Sequence, residues 1–334
     1  MKKLFLSLVA VIVAATTIHA QDVYVATLNH EGTITEYYGA TAFQNAYNAA
    51  VDGDVITLSA GVFTVVNNST GSSAVTLNKA IIVRGNGIDN ESPTTISGRS
   101  FFENSGMTYE GIIFTNMEFD TVDNATFIKC RFKDQASNSI NQLSKVTNST
   151  FTNCVIGRCR AYSSDNLVFN NCYIYIGSTF ENSTLFNCIV RGAVASNAQY
   201  TDCSFTNCVI ATNVNMLASN KIANCIGIST NTTNTTDVFK NIVESINSSI
   251  ATTTVFNSWS DVIDTNNLSP ESFELSDEGK AYLGVDGTQV GMLGGNYPYN
   301  PIVSIPRITK CEVAEKATAD GKLSVNIEVT APTE

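Results

Sequence analysis

An all-β solenoid is the fold class this sequence predicts, and three observations predict it. First, one motif recurs with drift along the middle of the chain. It is clearest at 146–156, VTNSTFTNCVI, and returns at 122–132, 164–174, 180–190, 200–210 and 217–227. Second, apolar residues alternate after the cysteine of each copy, the period of two that a strand shows when one face is buried. Third, the cysteines stand 24, 18, 16, 20 and 17 residues apart. Those lengths suit one coil of a stack in which each coil pairs only with its neighbours.

Aligned on Cys130, Cys154, Cys172, Cys188, Cys208 and Cys225, the copies assign a role to each column. Phe127, Phe151, Phe169, Leu185, Phe205 and Ile222 lie three residues earlier and read as core, as do Phe132, Ile156, Ile174, Val190 and Ile210 two residues later. A spacing of three breaks the alternation, and Asn153, Asn171, Asn187, Asn207 and Asn224 occupy the break. Asn tolerates left-handed backbone and can bond along a stack, so a bend is expected there. A second bend is expected at Asn124, Asn148, Asn166 and Asn182, with Asp202 in the later copy. A further copy at 109–119 sets Met117 in the cysteine column.

Strand, bend, strand, bend, strand, with stacked Phe and Cys inside and Asn at the turn, resembles the right-handed parallel β-helix of the pectin-lyase-like superfamily over about residues 40 to 300. The resemblance speaks for fold; one fold hosts many activities. A leucine-rich repeat is the alternative, but its leucine spacing is absent and few intervening stretches could form helices.

In chain order, 1–20 reads as a secretory signal: Lys2 and Lys3, an apolar run over 4–15, then Ile18-His19-Ala20 before the cut. That run is too short to span a bilayer, so no transmembrane span is expected after cleavage. The expected product is exported: extracellular, at the cell surface or periplasmic. Residues 21–300 are assigned to the β-helix and 301–334 to a linker and C-terminal β-hairpin. At 41–51, Phe43, Ala46, Tyr47 and Ala50 share one helical face, predicting the short N-terminal helix that caps the open end of such a solenoid. Coil-to-coil spans of varying length, such as 133–145 and 175–179, mark loops on one side, where a binding groove would form. The Gly-rich 286–299 resembles the closing segment of β-helix proteins of the Bacteroidetes type. Pro301 to Pro306 reads as linker, and 308–313 with 323–329 as a hairpin around Asp320-Gly321.

The residues just after the cysteines should face outward when the cysteines face in. They are Val155, Tyr173, Ile189, Val209 and Ile226, and a bare aliphatic row on a flat sheet is unexpected. A cover is therefore predicted, supplied either by the 308–329 hairpin or by a partner subunit.

A formal net charge of −11 argues against general nucleic-acid binding. Stacked free thiols are the simplest reading of the cysteine column, since neighbouring coils bring Cα atoms within disulfide range by ladder geometry alone. Cys159, Cys203 and Cys311 lie outside the column and could pair. With only His19 and His30 in the chain, no metal site and no cofactor are expected. The same scarcity rules out Ser-His-Asp and Cys-His sets elsewhere. β-Helix lyases and hydrolases use clustered acids, and here Glu118, Asp120 and Asp123 are the densest group, more simply read as solvated turn residues. Basic residues gather in the middle of this acidic chain. Arg131, Lys133, Lys145, Arg158, Arg160 and Arg191 fall in or beside the variable loops and are the candidate ligand-binding residues. Arg suits two-pronged contact with carboxylate or sulfate, so an anionic polysaccharide is the implied guest. The expectation is an exported, non-catalytic, glycan-directed binding or adhesion module. A polysaccharide lyase or glycoside hydrolase, and a purely structural spacer, are the alternatives.

Overall fold

A computed structural model describes residues 24–66, 74–89, 92–133, 141–176, 180–192, 199–211, 215–216, 219–229, 247–251, 255–263, 269–303, 307–313, 321–322 and 325–330. Residues 1–20, read above as a secretory signal, lie outside them. Two long sheets, of 11 and 12 strands, run side by side as a parallel β-helix. Beyond its first three strands, which form two antiparallel pairs, the first is built from strands of three residues, each sending one side chain inward. In Thr126–Ile128, Thr150–Thr152 and Val168–Asn170 only the central Phe is buried. Register stacks Phe127 on Phe151, Phe151 on Phe169, Phe169 on Leu185, then Phe205 and Ile222. The rings of Phe127, Phe151 and Phe169 lie 5.1 and 5.0 Å apart with interplanar angles of 13° and 15°. That offset stacking adds to the burial energy of each ring.

Both expected bends are present. At the first, Lys129, Asn153, Asn171, Asn187, Asn207 and Asn224 have φ between 49° and 56°; at the second, Asn124, Asn148, Asn166, Asn182 and Asp202 lie between 46° and 54°. The second bend is tied by side chains: Asn166 Nδ2 donates to Asn148 Oδ1 and Asn148 Nδ2 to Asp123 Oδ1, each at 2.6 Å. The column cysteines are free and buried. Each of Cys154, Cys172 and Cys188 donates its thiol to the carbonyl of the Phe-column residue one coil back, at 3.4 Å. Cysteine therefore fills the core beside the bend while its weak thiol donor still finds a buried backbone acceptor. Burial pushes the Cys130 thiol well above its ordinary pKa.

Four expectations change. Tyr109 pairs in register with Phe127 and Ile113 with Arg131, so Ile112, not Met117, stands in the cysteine column of the 109–119 coil. Met117 pairs with Ser100 instead. That coil turns on Gly111, at φ 65°, and so lacks the Asn-Cys pair by which the others align. Cys203 is a buried free thiol that donates to Thr201 O at 3.4 Å. The side chains of Cys159 and Cys311 lie outside the described residues. Pro301 and Val303 are docked rather than free as linker: Ile88 N donates to Pro301 O at 3.3 Å and Val303 is fully buried. The fourth change concerns the cover.

The outward row Val155, Tyr173, Ile189, Val209 and Ile226 is at most 1% exposed, and it packs with Val255, Phe256, Phe273, Leu275, Val290, Met292 and Tyr299. The cover is thus the chain between the last coil and the hairpin. The 307–313 and 325–330 strands pair with each other as an antiparallel ribbon. Residues 283–303 form a strap that runs back along the first bend, against the direction in which the coils were laid down. Asn224 Nδ2 donates to Leu283 O (3.3 Å) and Val285 N to Asn207 Oδ1 (2.9 Å). Asn171 Nδ2 donates to both Met292 O (2.8 Å) and Gly294 O (2.7 Å). Lys129 Nζ donates to Ile302 O, and the strap ends over Gly111, where a Cβ would sit 2.3 Å from Val303 Cγ1. Gly295, at φ 74°, lies so close to Asn187 that a Cβ would meet Oδ1 at 2.8 Å. The glycines of this segment let backbone lie directly on the bend.

At the other end, the helix Ala42–Ala49 buries Ala42, Phe43, Ala46 and Tyr47 against the first coils. Lys79 Nζ caps it, donating to the carbonyls of Tyr47, Asn48 and Ala50.

Candidate functional site

Four of the six basic candidates, Arg131, Lys133, Lys145 and Arg191, have described side chains, and these stand in different settings. Arg131 occupies the outward row immediately after Cys130 and is 4% exposed, under the strap. Its positive charge opposes the strong upward push that burial exerts on the Tyr299 hydroxyl. Lys133, two residues on, is half-buried; desolvation and then the Arg131 charge lower its pKa. Lys145 is exposed on a different strand, its Nζ 2.9 Å from Asp120 Oδ1. Arg191 is half-buried, with its guanidinium 4.4 Å from the centroid of the Tyr175 ring on the adjacent coil. The backbones of Arg158 and Arg160 lie in Val155–Tyr162, and their side chains lie outside the described residues. Most of the loops expected to wall a groove also lie outside them.

The densest acids are each engaged across coils. Glu118 pairs with Arg99, Asp120 with Lys145, and Asp123 accepts from Thr147 and Asn148. These hydrogen bonds, first those from Lys145 to Asp120 and from Thr147 to Asp123, hold both Asp carboxyls below their ordinary pKa. Among the described residues no three His, Cys, Asp or Glu side chains gather as a metal site. No described helix is long and apolar enough to cross a membrane.

Sequence reasoning passed over the outer face of the first sheet. The residues flanking each buried Phe-column side chain point outward in two rows, because strand side chains alternate. One row is Thr126, Thr150, Val168, Thr184 and Ser204; the other is Ile128, Thr152, Asn170, Phe186 and Thr206. Each row is in register across consecutive coils. None of these residues is buried, whereas the matching outward row of the second sheet is sealed. Ladder geometry makes the face about 19 Å long, at about 4.8 Å per coil, and about 7 Å wide. Its signal was present in the repeat, as the hydroxyl residue before the Phe column in TFI, TFT, TLF and SFT. That signal reads as ordinary strand composition until register shows the hydroxyls in line.

Compared with known proteins, the chain matches no family model and no curated protein.

Proposed function

We propose that this protein is an exported, non-catalytic β-helix of the pectin-lyase-like type that binds glycans at the cell envelope or outside the cell, in a Bacteroidetes-like setting. The open face of the first sheet carries the reading. It holds hydroxyl and amide side chains at coil spacing on a backbone fixed by ladders on both sides, and the chain's own strap covers the neighbouring face instead of this one. Such preorganised donors and acceptors bind a polymer without the cost of ordering loops. The basic middle supports an anionic guest as a second reading, for which Arg191, held over Tyr175, is the best-placed side chain. A glycan array with the mature protein tests the function. Retention of no glycan would refute it, and products absorbing in the ultraviolet after incubation with uronate polymers would instead establish a lyase.

A further inference from the structure

Two observations about the same part of the surface point to a chemical class of ligand. The first is charge. The ten outward positions of the first sheet between the coils of Cys130 and Cys208 include no charged residue, in a protein of 30 acidic and 19 basic residues. Over the whole chain 15% of residues are charged. Charge enters these rows one coil beyond each end, at Glu110 and Lys221; over the five coils between, a carboxylated or sulfated chain would find no partner, and an uncharged one would lose no solvated ion by docking.

The second observation is where the exposed apolar side chains lie. Among the described residues beyond the N-terminal cap and first strands, the large hydrophobic side chains most exposed to solvent are Phe186 (41%), Leu283 (51%), Val285 (62%) and Tyr297 (65%). All four border the bend that the strap follows. Phe186 ends a first-sheet strand and precedes Asn187, on which Gly295 sits, and Tyr297 follows two residues later. Leu283 O accepts from Asn224, and Val285 N donates to Asn207. An apolar rim with two aromatic rings thus borders a strip of hydroxyl and amide groups. Sugar rings present both surfaces: a C–H face that packs on aromatic and aliphatic side chains, and hydroxyls that exchange hydrogen bonds with Thr and Asn.

We infer that this strip and its strap-borne rim bind an uncharged linear polysaccharide, with Phe186 and Tyr297 as the stacking anchors. The inference rests on the glycan-binding reading and narrows it, placing the ligand away from the basic residues.

The test uses affinity electrophoresis or calorimetry of the mature chain with soluble β-glucan, xylan, mannan and galactan as uncharged probes and polygalacturonate and a sulfated galactan as charged ones. At least one uncharged polymer should bind, with an affinity unchanged by added salt, since no ion pair is there to be screened. Phe186→Ala with Tyr297→Ala should weaken that binding about tenfold or more, the scale for losing interface anchors. Thr152→Lys with Thr206→Lys, which crowds the strip without touching the core, should do the same while the thermal melt stays in place. Uncharged-polymer binding unaltered in both double variants would overturn the inference. So would binding confined to the charged polymers, falling with salt and lost on Arg158→Ser with Arg160→Ser, although the glycan reading itself would survive. Binding of no polymer at all would remove both.

Discussion

Asn171 fastens the strap, and its replacement separates two energies that the fold combines there. Its buried amide donates to the carbonyls of Met292 and Gly294 at 2.8 and 2.7 Å, while its backbone holds φ at 50°. Two hydrogen bonds contribute about 1–3 kcal/mol together. Exchanging Asn for Ala at a left-handed position costs about 1 kcal/mol more, because Ala lacks the local polar compensation that Asn has. Asn171→Ala should therefore destabilise by about 2–4 kcal/mol. Asn171→Gly removes the amide but not the conformation, so it should cost about 1–3 kcal/mol, roughly 1 less than Ala. Urea melts give the totals. Hydrogen exchange or limited proteolysis across 283–303 locates the effect, since a strap released from its fastening should open before the coils do. Asn166→Gly is the control: its left-handed bend, at φ 53°, is exposed, and it gives up only the solvent-exposed bond to Asn148, so it should cost at most about 1 kcal/mol and leave the strap protected. The reasoning fails if Asn171→Gly matches the parent in both stability and protection of the strap.

Three other outcomes are expected. Phe151→Ala removes the centre of a run of parallel rings in a close-packed interior, and denaturant melts should show a loss of about 3–5 kcal/mol; a shift below about 1 kcal/mol would mean the ring is not where the register puts it. A chain ending after Val303 should bind no more hydrophobic dye than the parent, whereas one ending after Tyr282 should bind more, because Val290, Met292 and Tyr299, rather than the hairpin, complete the cover of the second sheet. His30, hydrogen-bonded at 2.7 Å to Asp54, has its pKa raised by that bond and by the Asp54 charge. Its contribution is then fully present below about pH 6.5 and lost as pH rises through the raised value; proteolytic protection of the antiparallel pair Val25–His30 and Thr33–Tyr38 should follow that course, and His30→Gln should abolish the dependence.

The columns were legible because a parallel stack places like residues on like residues, so one good copy predicts the rest. Both sets of left-handed Asn, the Phe stack and the free thiols could be read for that reason. What escaped lacks that periodicity. Met117 was misplaced because its coil turns on Gly111, leaving no Asn-Cys pair to align. The strap passes each coil once and repeats nothing, so its composition showed a closing segment but not its path or what it covers. Arg131 read as a surface charge because its position differs from Val155 or Ile189 only in being polar; its burial depends on a segment about 170 residues further along the chain. The hydroxyl strip shows the converse failure: its residues were visible in every copy, but only their alignment in space sets them apart from any other strand.

A stack of coils held only by neighbour-to-neighbour contacts would fray from its ends, each coil melting at its own free energy. The strap alters that arithmetic. By touching the coils of Asn224, Asn207, Asn171, Lys129 and Ile88 in turn, it makes each coil's native state a condition for docking a segment that all of them share. Partial unfolding at either end then forfeits contacts in the middle, so the transition should sharpen towards all-or-none. The same geometry imposes an order on assembly. The coils emerge from the ribosome before their cover does, so until residues 255–303 are out the row from Val155 to Ile226 is not fully covered, and the growing chain passes through a stage in which its stickiest surface is its most complete one.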